Sequence, residues 1–448
     1  MPRQTAVDLA EKVRIQAERS GAQEAETYLE SSTTTEVRLR QGQIELLQQS
    51  AVQGLGLRVF RDRRMGFIYT TDLRETVLTE LVNRTLSLTN QATPRDENKL
   101  PEFLSVSPTD LELYDPIVAQ LKPEELVRFA RSAEESAFAQ DKRIETTRDV
   151  RCGTSVGEIF FSNTYIPRQT YRGTAIYLSA TPIATEGTRK REGNYTDRKR
   201  FLADLARPEQ VGQRAAERAL ARIGAATVPS ARMPVVFAAE AAGVFLQGLF
   251  QAFSALNVLE QRSFLAGKVG QVVASPMVTI IDDGTLRRGL GTRYFDGEGV
   301  QAHRTVVVDR GVLRQYLHSA ATARRMNQPP TGNGVRSYDT LPTIGPTNFY
   351  IDAVSKTRPL VEDLSTGLYV TRLAGFGVDI VSGEYSQQVD GQWIEKGALT
   401  KPVEGATVAG RLDEMLLGID SVGRDLEFRS SVASPSLRFK ELTVGGGA

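Results

Sequence analysis

Few residues in this chain of 448 combine a reactive type with a spacing that chemistry could use. Gly153-Thr154-Ser155-Val156-Gly157 has the letters of a nucleophile elbow, in which a serine stands on a sharp strand-to-helix turn and a histidine takes its proton. Here Glu158 to Ser162 read as a strand, so the required helix is missing, and a Gly- and Ser-bearing β-turn explains the letters as well. Arg189-Lys190-Arg191 and Arg198-Lys199-Arg200 flank Tyr195, a pattern that could hold phosphate and stack a base. The plain alternative is a solvated loop between a strand and a helix. Asp282, Asp283, Asp296 and Glu298 lie beside glycines and could give oxygen ligands to a hard cation, without the spacing of an EF-hand; acidic turns at strand ends would look the same. With 1 Cys and 2 His in the whole chain, a zinc site built on nitrogen and sulfur is barely possible. Cys152, His303 and His318 therefore read as ordinary core or surface residues.

Composition narrows the function classes further. Hydrophobic residues make up 40% and charged residues 24%, enough for a large globular core and too apolar for a disordered chain. Lys+Arg number 55 against 54 Asp+Glu, so no net field recruits nucleic acid or an anionic membrane. The first residues, MPRQTAVDLAEKVRIQ, carry charges where a signal peptide needs its apolar stretch. The most apolar window, residues 234–253, is broken by Glu240, Gln247 and Gln251. A soluble, cytoplasmic protein without membrane attachment is the expectation.

The elements that must position these residues divide into two halves. Residues 1–225 read as a mixed α/β domain, with a sub-boundary in the polar, proline-bounded stretch of residues 91–122. Val7, Ala10, Val13 and Ala17 share a helix face. Val37 and Leu39 alternate with arginines and resume as Ile44 and Leu46 after Gln41-Gly42, a hairpin. A second hairpin turns at Arg61-Asp62-Arg63-Arg64. Helices follow from the faces Val77–Leu78–Leu81–Val82–Leu88 and Leu126–Phe129–Ala130–Ala133–Ala137, the latter opened by Pro123, and another starts at Pro208. Between them, residues 148–179 read as several β segments. Residues 226–448 read as a strand, a helix through Phe253, and then many glycine-punctuated strands, among them residues 305–309, 368–373, 377–381 and 437–444. The fold class expected is α+β, with a large, mostly antiparallel sheet or barrel in the second half.

Within that half, six stretches occur in one order: Ser263-Phe264-Leu265-Ala266-Gly267-Lys268-Val269-Gly270, Ile281-Asp282-Asp283-Gly284-Thr285, Phe295-Asp296-Gly297-Glu298-Gly299-Val300, Pro330-Thr331-Gly332-Asn333-Gly334, Gly377-Val378-Asp379-Ile380-Val381-Ser382-Gly383-Glu384-Tyr385-Ser386 and Ile394-Glu395-Lys396-Gly397. Together they resemble the TldD/TldE (PmbA) family, historically called modulators of DNA gyrase and understood as metallopeptidases. In the family's catalytic TldD branch a helix carries His-Glu-x-x-x-His, and a cysteine near the C-terminus completes a zinc site. The corresponding stretch here is Ala239-Glu240-Ala241-Ala242-Gly243-Val244, and residues 429–435 contain no cysteine. Ala239 and Val244 have no lone pairs to give a metal, and Glu240 without a metal-bound water has nothing to deprotonate. The resemblance is therefore to the metal-free TldE branch, which implies no cofactor in this chain and zinc in a partner.

The resemblance implies a function in partnership: a non-catalytic subunit pairing with a TldD-like catalytic chain around a tunnel where extended, unfolded peptides add to a sheet edge. Thr331, Gly332, Asn333, Gly334, Gly375, Phe376, Gly377, Val378 and Asp379 are the expected peptide-facing residues, and a homodimer is also open. Two other classes stand beside this reading. One is a metal-free or carboxylate-metal amidohydrolase acting as a homo-oligomer through Asp282, Asp283, Asp296 and Glu298. The other is a gyrase- or nucleic-acid-associated protein using the cations between Arg189 and Arg200.

Overall fold

The computed structural model of the chain describes residues 3–102, 110–166, 168–353 and 359–446. Helix α1 (Arg3–Arg19) leads into β1 (Glu24–Arg40), β2 (Gln43–Arg61) and β3 (Arg64–Thr70). Both hairpins form where their turn residues predict. Gln41 and Gly42 take φ of +51° and +73°, and Asp62 and Arg63 take +50° and +61°. These left-handed pairs match the twist of the flanking strands. Helices α2 (Glu75–Gln91), α3 (Pro116–Gln120) and α4 (Pro123–Phe138) follow, then β4 (Ile144–Asn163), β5 (Gln169–Glu186), β6 (Arg189–Glu192), β7 (Tyr195–Lys199) and α5 (Pro208–Leu220). One sheet of order β3-β2-β1-β4-β5-β6 results, with β7 also on β5.

Two expectations are corrected here. Residues 148–179, read as several β segments, form parts of only two, β4 and β5, so Gly153 to Gly157 is no turn but sits mid-strand, paired with β1 on one side and β5 on the other. The Arg189 to Arg200 stretch is not a loop; β6 and β7 fold it back onto β5, with Tyr195 fully buried.

Both helix pairs cover one face of this sheet, because Leu29 and Val37 of β1 are eight residues apart and point the same way. Leu29, Leu55, Leu57 and Phe160 bury against Ala10, Val13, Leu78 and Leu81 of α1 and α2. Val37, Leu39, Val150 and Leu178 bury against Leu126, Ala130, Val211 and Ala215 of α4 and α5.

The second half starts with β8 (Ala231–Phe237), α6 (Ala239–Leu249) and α7 (Ala255–Leu259), then β9 (Ile280–Asp283), β10 (Arg304–Asp309), β11 (Val312–Leu313), α8 (Ala320–Arg325), β12 (Gly334–Val335), β13 (Thr343–Ile344) and β14 (Phe349–Ile351). It ends with β15 (Thr366–Ala374), β16 (Glu384–Glu395), β17 (Ala398–Arg411), α9 (Leu412–Leu417), β18 (Ile419–Val422), β19 (Val432–Ala433) and β20 (Leu437–Gly445). Strands β17-β16-β15-β8-β20 form a path that closes through a β17–β20 pairing, a five-stranded barrel in an α+β molecule. A second sheet runs β11-β10-β9-β14-β19. Helix α6 joins the two: Phe245 packs edge-on against Tyr385 and Phe439 of the barrel, and Phe250 just beyond it against Phe349 of the second sheet. Residues 377–381, expected as a strand, lie between β15 and β16 and make one isolated bridge, Val378 to Tyr385. Asp379 explains the break, since its carboxylate accepts the main-chain N–H of Val381 at 2.8 Å and of Ser382 at 3.3 Å and so turns the chain. Among the described residues no helix is long and apolar enough to cross a membrane.

Candidate functional site

Helix α6 leaves β8 through Ala238, whose N–H bonds Val370 of the neighbouring β15. The apolar side Ala241–Ala242–Phe245–Leu246–Leu249 is buried, which turns Glu240 and Val244 outward, both about half-exposed. The Glu240 carboxylate accepts two bonds from Arg218 of α5, at 2.6 and 3.3 Å, and one from Arg429 at 3.2 Å. Arg218, Arg429 and Arg214 gather around the Tyr195 ring, 5.0, 4.8 and 5.2 Å from its centroid. Residues 429–435 do reach α6. Besides Arg429, a Cβ placed on Gly243 would lie 3.8 Å from the N–H of Ser434 and the carbonyl of Val432.

The structure thus brings together the three motif positions and the segment in which the resemblance expects a cysteine, and it allows zinc to be tested against them. Ala239 offers a methyl and Val244 an isopropyl group. Glu240 is already held by two guanidinium groups, which would repel a dication. Among the described residues no group of three His, Cys, Asp or Glu is arranged to hold a metal ion. The residues do not fit zinc.

The two stretches expected to face a peptide fall in different surroundings. Thr331 and Asn333 are buried. The Thr331 hydroxyl accepts from the His318 N–H and donates to the Asn333 side chain, both at 2.7 Å, and Asn333 donates to Asp282 at 2.7 Å. Gly332, at φ +71°, lies where a Cβ would come 2.8 Å from the Gln301 carbonyl. The Gly334 N–H bonds Asp296 at 2.7 Å. These residues brace a polar interior.

The acidic group is part of that brace. Asp282 also accepts from the Thr347 N–H and hydroxyl, Asp283 from Thr285, Asp296 from the N–H groups of Glu298 and Val300, and Glu298 from the Ala320 N–H. Burial raises the Asp282 carboxyl above its ordinary range against the hydrogen bonds from Thr347 and Asn333. Burial first, then the Glu298 charge, raises Asp296. Lone pairs spent on fixing loops are not free for a cation.

Gly375 to Asp379, in contrast, is at the surface beside α6. Phe376 projects fully into solvent. Val378 packs on Gly248 of α6, where a Cβ would come within 2.7 Å of it, and Gly248 is one turn from Val244. Gln387 anchors the loop with a 2.7 Å bond to the Gly375 carbonyl. Hydrogen bonds from Ser382 and from the Val381 and Ser382 main chain hold Asp379 below the usual carboxylate range.

The remaining motifs are in large part absorbed by the fold, although Arg189, Lys190 and Arg198 stay exposed. Ser155 lies opposite Thr34 and Ala175 in the sheet. Arg191 pairs with Glu404 at 2.8 Å, Lys199 with Asp197 at 3.2 Å, and Arg200 donates to the carbonyls of Gly289, Leu290 and Thr292. The Cys152 thiol is pushed up to about 12 by burial, which keeps it out of thiolate chemistry. The arginine trio at Tyr195 escaped the sequence reading, as did a cavity of about 770 Å³ lined by Tyr114, Tyr171, Arg172, Phe201, Arg288 and Tyr294. Both assemble residues far apart in the chain, so no local pattern announces them.

Three family descriptions match in order: PmbA/TldA metallopeptidase domain 1 over residues 25–88, the central domain over residues 116–223 and the C-terminal domain over residues 230–446. Metalloprotease PmbA of Escherichia coli O157:H7 is 30% identical over 426 residues, covering 94% of this chain and 92% of its own. A metalloprotease TldD homolog of Haemophilus influenzae is 27% identical over 432 residues, 88% and 87% of the two chains. A Thermotoga maritima crystal structure, named for a candidate role as modulator of a DNA gyrase, superposes with a TM-score of 0.89 at 27% identity over 98% of this chain and 99% of its own. TldE from Thermococcus kodakarensis shares the fold, with a TM-score of 0.87 at 20% identity over 98% and 100% of the chains.

Proposed function

The chain belongs to the PmbA/TldD metallopeptidase family, and from that premise we propose that it is a metal-free, non-catalytic subunit of TldE type. It pairs in the cytoplasm with a TldD-like chain that carries the zinc, and the pair processes unfolded peptides. The observation that carries this reading is Glu240 clamped by Arg218 and Arg429 between Ala239 and Val244. No metal donor set surrounds this carboxylate, so it has no metal-bound water to deprotonate. The exposed Gly375, Phe376, Gly377, Val378 and Asp379 loop on the flank of α6 is the better candidate for peptide contact, because Thr331, Gly332, Asn333 and Gly334 are engaged internally. The amidohydrolase reading finds no support in carboxylates that hold their own loops, and three of the six cations behind the nucleic-acid reading, Arg191, Lys199 and Arg200, are spent on bonds within the fold.

Purification of the tagged chain from its native cells tests the proposal. A second chain bearing His-Glu-x-x-x-His should accompany it in near-equal amount, and the isolated chain should hold no stoichiometric zinc and leave unfolded peptides intact. Zinc at one equivalent with peptide cleavage by the chain alone would overturn the assignment.

A further inference from the structure

The long hairpin leaves part of its sheet edge uncovered. Strand β2 pairs with β1 from Gln43, opposite Arg40, to Phe60, opposite Glu24. Strand β3 pairs with β2 only between Leu55, opposite Thr70, and Arg61, opposite Arg64. Among the described residues no strand lies along the outer edge of residues 43–54. The second half of the chain reaches β2 at Gly54 and Gly56, against Tyr338.

Open edges in natural sheets are blunted by charges, prolines or bulges, because their free N–H and C=O groups invite another strand. Here the register irregularity lies between Arg38 and Leu39, at Glu45. Past it, residues 46–53 run regularly as LLQQSAVQ, without a charge or a proline. Leu47 is 51% and Val52 43% exposed on this edge.

The order of the side chains indicates what covers it. About Gln49 the segment is a palindrome in hydropathy: Leu46 and Leu47 on one side, Ala51 and Val52 on the other, Gln48 and Ser50 between. A second copy laid antiparallel about a two-fold axis at Gln49 sets Leu46 against Val52, Leu47 against Ala51 and Gln48 against Ser50, each twice. Directly opposed residues share a face of the sheet, so each apolar side chain meets an apolar one, and Glu45 meets Gln53 rather than another carboxylate. Moving the axis to Gln48 or Ser50 sets Leu47 against Gln49 or Gln53 and loses the match.

We propose that residues 46–52 of β2 are a self-association surface, through which two copies of this chain join their sheets edge to edge with Gln49 on the two-fold axis. The interface is isologous and closed, so it stops at a dimer. This claim stands apart from the pairing with a catalytic chain.

Sedimentation of the full chain and symmetric cross-linking test it together. Opposed Cα atoms in an antiparallel pair are about 4.5–5.5 Å apart, within disulfide reach. The native Cys152 is buried and does not compete. Wild type should sediment as a dimer, and Gln49→Cys should cross-link to itself under mild oxidation roughly tenfold or more faster than Val52→Cys, whose two copies lie far apart across the axis. Leu47→Lys should give a monomer with an unchanged circular dichroism spectrum, and Gln49→Pro should do the same if it folds. A wild-type monomer at the highest soluble concentration would overturn the proposal. So would a dimer in which the two cysteine variants cross-link equally, or pairing through this edge only with a different chain.

Discussion

Glu240 has a charge environment opposite to that of a metal-assisted base, since two guanidinium groups stand beside its carboxylate where such a base would face a metal cation. We therefore expect Ala239→His with Val244→His to create no stoichiometric zinc site in a titration, because the third donor is missing and Arg218 and Arg429 stay in place. Glu240→Gln should cost only about 0.5 kcal/mol of stability in denaturant unfolding, as half-exposed ion pairs are screened. His318 offers a pH-dependent test. Burial lowers it from an ordinary 6.5 to about 4, and its Nδ1 has no partner. The unfolded chain binds the proton first on acidification, so this contribution is complete above pH 6.5 and is lost as pH falls towards 4. Melting temperature against pH should fall more steeply over that window in wild type than in His318→Leu, with a ceiling of roughly 3 kcal/mol. The letters at positions 239, 240 and 244 were legible in the sequence. The clamp was not, since Arg218 and Arg429 lie 22 and 189 residues from Glu240.

Elements built on local pattern were the readable ones. Both hairpins followed from turn chemistry, α4 from a proline start and a 3.6-residue face, and α5 from its proline start. What failed were segments decided by neighbours. Residues 189–200 look like a cationic loop until β5 supplies a strand to pair with, and residues 377–381 look like a strand until Asp379 captures the main chain. The contact between α4 and α5 is equally non-local. Gly212 sits where a Cβ would come 2.0 Å from the Ala133 carbonyl, so the helices cross at backbone distance. Gly212→Ala should push them apart and lower stability by about 1–3 kcal/mol in urea unfolding, with the helix content of the spectrum retained.

Across the whole molecule, the two halves are tied by a buried charge group. Arg336 has a fully buried side chain, donates to Glu26, and stacks 4.9 Å from Tyr28 and 5.6 Å from Phe67. Arg58 holds the other Glu26 oxygen at 3.0 Å and approaches Glu298 at 3.7 Å. Arg58 still pairs with both Glu26 oxygens when Arg336 is removed, so Arg336→Met should destabilise by only about 1–3 kcal/mol, and adding Glu26→Gln, which takes the buried Arg58 from its carboxylate, should cost more rather than restore it. Arg63→Ala, at an exposed pair with Asp96, should be neutral beside it in the same unfolding series. The α+β class followed from composition and strand spacing. This coupling did not, since it joins residues 310 positions apart.

The barrel seam has a consequence in time. Strand β8 lies between β15 and β20, so on a growing chain it waits for partners made more than a hundred residues later, and the ring closes only when β20 docks on β8 and β17. Until then the aromatic cluster of Phe237, Phe245, Tyr385 and Phe439 has no shared interior. Such long-range closure is slow and leaves unpaired strands exposed while it is pending. The second half of this protein is thus expected to complete its fold late, whereas the early hairpins of the first half pair strands that are adjacent in sequence.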